Sequence, residues 1–257
     1  MAVRKSLTPA TQHVKTQQKT TALSVGDIIM KRSEINAIIR HMKHVMRHYH
    51  FHLPEFAQYT PADWQAMNLT AKREIIDAHL GWDVTDFGLN QFHKIGLTLF
   101  TIRNQSPTNN KPYAEKIMLV NENQVTPMHY HWKKMEDIIN RSGGHLIVRL
   151  YRRNEHTDLP DEHADVQVAV DGESITVPAG GTICLHEGQS ICLTPMLYHS
   201  FWAQEGKGAV LAGEVSMAND DLTDNRFLEP LGRFSQIEED EAPDHLLCSD
   251  YQTYIKE

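Results

Sequence analysis

The sequence predicts a mainly β protein whose strands form an antiparallel sandwich or barrel, with N-terminal helices packed on it. Two observations predict this class. The first third of the chain carries apolar residues at helical spacing, whereas the part after Gly88 contains many short runs of β-forming residues. Glycine and proline separate these runs at regular intervals, which is typical of antiparallel all-β folds.

Length and composition limit the domain organisation and the partners. A chain of 257 residues can bury a substantial core as one domain, and we expect residues 26–257 to form it. Residues 1–25 are polar and lack the apolar core of a signal peptide, so they predict a disordered N-terminal arm. The net charge of −8 argues against nucleic acid, because phosphate binding needs a basic surface. No apolar run reaches the roughly 18 residues that a membrane span needs.

The three cysteines predict a reducing compartment. Cys184, Cys192 and Cys248 are an odd number and form no Cys-x-x-Cys motif, which indicates reduced thiols in the cytoplasm. Because Cys184 and Cys192 flank apolar, strand-like runs, we expect buried structural thiols rather than a redox pair.

Three helices are predicted before Gly88. Ser33 can cap a helix that begins at Glu34 and that carries an apolar stripe from Ile35 to Tyr49. A second helix starts at Thr60-Pro61-Ala62-Asp63, where proline occupies the first helical position. Residues 71–80 predict a short third helix that Gly81 ends.

The strands predicted after Gly88 are short. Valines at 166, 168 and 170 alternate with other residues, as in a half-buried strand, and Asp171-Gly172 follows as a hairpin turn. The predicted strands are 96–103, 116–120, 146–151, 166–170, 174–177, 182–185, 190–193 and 209–216. The acidic run 238–241 predicts a solvated, self-repelling surface segment rather than a metal site.

One constellation of side chains predicts a metal centre. His129 and His131 are two residues apart, so both can point to the same face of one strand. Glu136 can return on the adjacent strand after a short turn, and His199 must come from a distant strand across the barrel. Three imidazoles and a carboxylate suit manganese, iron, cobalt, nickel or zinc, and leave positions for water or a substrate's oxygen atoms.

These residues resemble the two sequence motifs of the cupins. His129, His131, Glu136 and Gly143 follow the spacing of the first motif, and Gly188 to Pro195 with His199 resembles the second. The second motif departs from the usual form, since Leu197 stands where glycine is common and no asparagine follows His199 at the expected place. The resemblance implies a double-stranded β-helix, or jelly-roll barrel.

Within the cupins, three segments are similar to the D-lyxose isomerase family. They are Lys-Ile-Met-Leu-Val from Lys116, the stretch from Thr126 to Arg141, and Gly-Glu-Val-Ser from Gly213 with Asn-Asp-Asp from Asn219. The similarity runs from about Met30 to Tyr251. It implies a homodimeric enzyme that interconverts D-lyxose with D-xylulose and, less well, D-mannose with D-fructose. It also implies a divalent metal, typically manganese.

Aldose–ketose isomerisation predicts further catalytic residues. The reaction moves a proton between C1 and C2 of the sugar, so it needs a base other than the ligand Glu136. Glu214 is the first choice because its strand belongs to the half of the chain that supplies His199; Asp221 and Glu238 are weaker choices. Lys134 can point into the same pocket and move a proton between the sugar's oxygen atoms, although a solvated lysine on a turn would have the same sequence.

A polar set predicts the binding of sugar hydroxyls. Its members are Lys116, Asp221, Asn225 and Arg233, and a surface lysine or an Asx-rich turn would give the same composition. Trp132 and Phe201 are expected to pack rather than to stack on a sugar. Two other functions use the same ligands: an iron-dependent cupin dioxygenase, and a non-enzymatic sugar-binding or storage cupin. The residues also leave open whether hydrogen moves as a proton or as a hydride.

Overall fold

The computed structural model describes residues 30–218, 220 and 223–255. The predicted arm at 1–25 and the predicted sugar ligand Asp221 lie outside these residues. The α-helices are α1 (Arg32–His48), α2 (Pro61–Ala66), α3 (Arg73–Asp77) and α4 (Tyr251–Tyr254), and short 3-10 helices span Glu55–Gln58, Leu69–Lys72 and Cys248–Asp250. No helix in the described ranges is long and apolar enough to cross a bilayer.

The strands account for most of the regular structure. In chain order they are β1 (Met30–Lys31), β2 (Gly81–Thr85), β3 (Leu97–Arg103), β4 (Tyr113–Val120), β5 (Thr126–His131), β6 (Glu136–Gly143), β7 (Leu146–Arg152), β8 (Val166–Val170), β9 (Glu173–Val177), β10 (Thr182–Leu185), β11 (Ser190–Leu193), β12 (Leu197–Ala203), β13 (Val210–Met217), β14 (Asn225–Phe227) and β15 (Ile237–Glu238). The mainly β fold with N-terminal helices is confirmed.

Two antiparallel sheets face each other. One has the strand order β2-β3-β4-β13-β6-β11-β8-β9, and the other has the order β10-β7-β12-β5-β14. Apolar residues of both sheets meet between them in one cluster, to which Met118, Ile138, Val148 and Phe201 belong. The sheets therefore enclose a barrel interior, which is the jelly-roll arrangement that the cupin resemblance implies.

Helix α1 covers the outer face of the larger sheet. Ile35, Ile39 and Met42 pack with Ile117 and Leu119 in a second cluster. Because side chains alternate along a strand, the residues of β4 between these two point into the barrel. Lys116 shares the inward parity of Met118, and a buried lysine in that position must find a partner inside the barrel.

The start of α1 differs from the prediction. The helix begins at Arg32, and Ser33 lies in its first turn, where its backbone N–H donates to Asp240 Oδ1 at 2.9 Å. Asp240, not Ser33, therefore caps this end. Residues 238–241 are exposed, as predicted, but the run is not merely self-repelling, because Glu239 pairs with Arg32 at 2.6 Å. Asp250 also pairs with Arg32, at 2.9 Å. Acidic side chains are favourable near a helix N-terminus.

The predicted second and third helices had different outcomes. Thr60 and Asp63 form a reciprocal capping box at the start of α2, as the sequence indicates. The third helix is interrupted, with a 3-10 turn before the short α3. Gly81 opens the unpredicted strand β2 with a φ of 118°, and a Cβ there would lie 2.5 Å from the Tyr251 hydroxyl. Glycine is therefore required by both conformation and space.

Candidate active site

Three strands bring the predicted metal ligands together. His129 and His131 lie on β5, and His199 lies opposite His129 on the paired strand β12. Glu136 is the first residue of β6, which belongs to the larger sheet, whereas β5 and β12 belong to the smaller one. All four side chains are buried inside the barrel.

Two histidine nitrogens lie close to one carboxylate oxygen, and the third histidine lies beside them. Glu136 Oε1 lies 3.3 Å from His131 Nε2 and 3.1 Å from His199 Nε2. The ring centroids of His129 and His199 are 4.2 Å apart, and the three histidines offer nitrogen atoms within 4.8 Å of one another. The structure thus brings together four predicted ligands that are spread over about seventy positions of the chain.

Backbone carbonyls set the orientation of two of these imidazoles. His129 Nδ1 lies 2.7 Å from the Pro127 carbonyl and His199 Nδ1 lies 2.9 Å from the Leu197 carbonyl. A carbonyl only accepts, so each Nδ1 carries the proton and each Nε2 presents a lone pair. His199 Nε2 makes no hydrogen bond to any described residue, although it faces Glu136. Lone pairs directed at a carboxylate repel unless a cation lies between them, and the donor set therefore fits a divalent metal.

The electrostatics keep these groups in the forms that bind metals. Burial, together with the neighbouring His199 and His131, holds the pKa of His129 well below its usual value, so the ring is neutral. Burial opposes ionisation of Glu136, but the Lys134 ammonium and the nearby imidazoles lower the pKa of that carboxyl well below its usual range. Neutral imidazole and ionised carboxylate are the ligand forms that metal binding requires.

Two lysines and two glutamates form a buried charge chain beside the histidines. Lys134 Nζ lies 2.6 Å from Glu136 Oε2 and 2.9 Å from Glu214 Oε1. Lys116 Nζ lies 3.5 Å from the same oxygen of Glu214. Burial disfavours the charges of Lys134 and Glu214, but the two carboxylates raise the pKa of Lys134, and Lys116 with Lys134 lowers that of Glu214. The shifted pKa values of Lys134, Glu136 and Glu214 keep these three groups ionised near neutral pH.

The inward direction of Lys134 depends on an aspartate that sequence reasoning did not select. Asp224 accepts hydrogen bonds from the backbone N–H groups of Lys133 and Lys134, at 2.9 and 3.0 Å. This fixes the turn between β5 and β6, and Lys134 is only 3 % exposed. Asp224 is about ninety residues from the turn in the sequence, so no local pattern indicates the contact.

A cavity of about 50 Å³ joins the histidines to the charge chain. Asn225 and Arg233, both predicted to bind sugar hydroxyls, line it, and Arg233 is held by Asp83 at 2.6 Å. Lys116 also lines a neighbouring cavity of about 330 Å³, which extends the available space. Apolar residues complete the wall of the first cavity, and sequence reasoning identified only one of them, Phe201, as a packing residue; the others are Phe87, Leu97, Leu99, Met118, Ile138 and Phe227.

One weaker candidate for the base is misplaced. Glu238 lies on β15, which pairs with β1, and it does not line the cavity. A cavity of about 630 Å³ lies elsewhere, against Arg152, Thr176 and Met196, but it does not contain the buried cluster of ionisable residues described above. The buried ionisable residues therefore line the smaller cavity.

The departure from the second cupin motif has a local explanation. The turn before β12 places Met196, not Leu197, in the left-handed region, with a φ of 60°. Leu197 adopts no positive φ and is buried, so glycine is not needed there. Gly143, at the end of the first motif, does need to be glycine: its φ is 103°, and a Cβ would lie 2.3 Å from the Ala209 carbonyl oxygen.

Two facing antiparallel sheets, with three histidines and a glutamate gathered inside the barrel, define this protein as a cupin. A family model described as D-lyxose isomerase matches residues 30–251. The chain belongs to the D-lyxose isomerase family and is an isomerase. The family resemblance predicted from the motifs is confirmed over the predicted extent.

Curated relatives agree with the family. The chain is 52% identical over 229 residues to the D-lyxose/D-mannose isomerase of Serratia proteamaculans, covering 88% of this chain and 100% of the relative. It is 50% identical over 228 residues to the protein of the same name from Escherichia coli O157:H7, with the same two coverages.

Solved structures show the same fold at low identity. The L-ribose isomerase of Cellulomonas parahominis with L-psicose superposes with a TM-score of 0.54 and 15% identity, covering 82% of this chain and 99% of that one. The L-ribose isomerase of Geodermatophilus obscurus gives 0.55 and 14%, with the same coverages. At these identities the likeness shows the fold alone.

Proposed function

We propose that this chain interconverts D-lyxose with D-xylulose, and D-mannose with D-fructose, at a divalent metal held by His129, His131, Glu136 and His199. The names of the relatives at 50–52% identity support the sugars. The observation that carries the chemistry is the continuous buried chain from the histidines through Glu136 and Lys134 to Glu214. Manganese is the first choice of metal, with zinc, cobalt, iron and nickel as alternatives.

The reaction requires charge stabilisation and a proton carrier. A divalent metal in this site supplies Lewis-acid stabilisation of the negative charge that develops on the sugar's oxygen atoms. Glu214 takes the C2 proton and returns it to C1 by way of a cis-enediolate. Its carboxylate suits that role because it is ionised before the sugar binds and is held 2.9 Å from Lys134, inside the cavity.

Lys134 has two tasks in this proposal. Its ammonium holds Glu136 Oε2 and so leaves Oε1 directed at the histidine nitrogens. It also donates to the sugar's O1 and O2 and carries a proton between them as the carbonyl changes position. Its position between both carboxylates fits both tasks without a change of strand or turn.

The remaining polar residues position the substrate. Lys116, Asn225 and Arg233 line the cavity and would donate hydrogen bonds to hydroxyls along the chain of the sugar. Asp221 is proposed as a further hydroxyl ligand. We also propose that the enzyme works as a homodimer in the cytoplasm, with residues 26–257 as its domain and residues 1–25 as a separate polar arm.

The test is an assay of metal-stripped enzyme, with and without added Mn²⁺, on D-lyxose, D-mannose and D-xylose in deuterated water. We expect turnover of lyxose and mannose only with metal, and solvent deuterium at C1 or C2 of the product. No turnover of any aldose would contradict the proposed function. Product without solvent deuterium would indicate a hydride shift and remove the role of Glu214, and oxygen consumption would indicate a dioxygenase.

A further inference from the structure

A second group of metal-ligand side chains lies on the outer surface of the smaller sheet. Cys184 is on β10, the edge strand of that sheet, and His186 follows two residues later. Along β10 the residues Ile183 and Leu185 are buried, whereas Cys184 is exposed, so Cys184 faces solvent. The expectation that Cys184 is a buried structural thiol was wrong, because the strand parity directs it outward.

His145, which immediately precedes the neighbouring strand β7, completes the group. Leu185 pairs with Leu146, so the register places His186 next to His145 at the end of the β10–β7 ladder. The rings of the two histidines are 4.3 Å apart at an angle of 74°. One ligand atom from each of His145, Cys184 and His186 lies within 4.8 Å of the other two. Tetrahedral zinc needs about 3.3–3.8 Å between such donors, which small side-chain rotations provide.

Glutamine side chains contact the ring of His145 and the backbone of His186. His145 Nδ1 lies 3.0 Å from Gln204 Oε1, an atom that only accepts, so Nδ1 carries the proton and Nε2 presents its lone pair. The Gln204 backbone N–H in turn donates to the His145 carbonyl at 2.9 Å. The backbone N–H of His186 donates to Gln189 Oε1 at 2.9 Å. A hydrogen-bonded second ring nitrogen is the usual arrangement behind a metal-binding histidine.

We propose that His145, Cys184 and His186 bind a second metal ion, with water as the fourth ligand. A thiolate with two imidazoles selects zinc and chemically similar ions over manganese, which prefers oxygen. Binding displaces the thiol proton of Cys184 into solvent. This site lies on the outer face of the sheet whose strands β5 and β12 carry three of the active-site ligands on its inner face. It does not depend on the proposed function of that site.

Cobalt(II) distinguishes the two sites, because a cobalt–thiolate bond gives a charge-transfer band in the near ultraviolet and the active-site ligands contain no sulfur. The experiment titrates Co²⁺ into the manganese-loaded enzyme and into matched variants. We expect the band to saturate at one equivalent per chain in the wild type and to be absent in Cys184→Ser. Cys192→Ser is the control for the loss of a thiol and should retain the band.

A positioning variant tests the histidine arrangement. Gln204→Ala removes the acceptor behind His145 and should weaken Co²⁺ binding at this site by roughly 10–100-fold while the band persists at saturation. Three outcomes would overturn the proposal: no band in the wild type, a band that survives Cys184→Ser, or a band lost in Cys192→Ser.

Discussion

Glu214 and Lys134 lie side by side inside the barrel, with 2.9 Å between the ammonium nitrogen and the nearer carboxylate oxygen. Lys116 approaches the same oxygen from β4, and Ser216 Oγ donates to it at 3.1 Å. A carboxylate with these three partners stays ionised despite its burial, and it is therefore ready to accept a proton as soon as a sugar is bound.

Replacing Glu214 with glutamine tests this role. The change keeps the shape but removes the basic oxygen, so we expect kcat on D-lyxose to fall by roughly 10²–10⁴-fold with a small change in KM. Steady-state kinetics measure both. Glu115→Gln is the matched control, because Glu115 is on the adjacent strand but pairs with Arg103 outside the barrel, and its activity should be unchanged. Full activity of Glu214→Gln would exclude it as the base.

The cysteines should differ in their reaction with iodoacetamide. Cys184 is exposed, whereas Cys192 is half-buried, and burial with the neighbouring Asp137 raises the pKa of its thiol to about 11. The reactive thiolate of Cys192 therefore forms only as the pH rises toward that value. At pH 8 in the absence of added metal, mass spectrometry should show Cys184 alkylated first. Faster labelling of Cys192 would contradict the placement of these two side chains.

Helix α1 has one feature that local sequence patterns predict and one that they do not. Its apolar stripe is in the sequence, and the buried residues Ile35, Ile39 and Met42 follow it. Its N-terminal cap cannot be read from the local sequence, because the capping residue Asp240 is 207 residues away from Ser33. Arg32 next to it is fully buried between Asp250 and the half-exposed Glu239. This end of the helix is therefore held by the C-terminal segment.

Arg32→Met should lower the free energy of unfolding by roughly 3–5 kcal/mol, since it leaves Asp250 buried without its partner. Denaturant unfolding at equal metal loading measures the change. Arg40→Met is the control on the same helix: its ion pair with Asp244 is exposed and should be worth at most about 1 kcal/mol. Adding Asp250→Asn to Arg32→Met should recover part of the loss. Additive losses in the double variant would show that charge pairing is not the cause.

The four residues of the candidate metal site come from both sheets of the barrel. His129, His131 and His199 belong to the smaller sheet, whereas Glu136 belongs to the larger one. A metal bound to all four would therefore link opposite walls of the barrel, and unfolding would have to release it. Binding to the folded state alone stabilises it by mass action.

Added Mn²⁺ should therefore raise the thermal unfolding midpoint of the metal-stripped protein. At about 100 times the dissociation constant the gain is about 2.7 kcal/mol. Calorimetry at several Mn²⁺ concentrations should show a midpoint that rises with the logarithm of the concentration. His129→Gln should abolish most of the rise. Cys184→Ser should retain it, because a thiolate is a poor ligand for manganese. An equal rise in His129→Gln would place the stabilising ion elsewhere.

The fold class, most of the strands after Gly88, and the grouping of His129, His131, Glu136 and His199 could be predicted from the sequence. These depend on local rules: the alternation of side chains along a strand, turn chemistry, and the spacing of His129, His131 and Glu136. The sequence also predicted that Lys134 can enter the pocket, although Lys134 lies in the turn between β5 and β6 rather than on a strand.

The contacts between residues far apart in the chain could not be predicted and are seen only in the folded protein. Asp224 fixes the turn that carries Lys134, Asp240 caps α1, and His145 meets Cys184 and His186 through the register of β7 and β10. The physical reason is that sheet pairing and helix docking bring together side chains whose separation in the chain carries no periodic signal. Local propensity determines where each helix and strand forms, whereas the packing of the two sheets determines which side chains meet in the barrel.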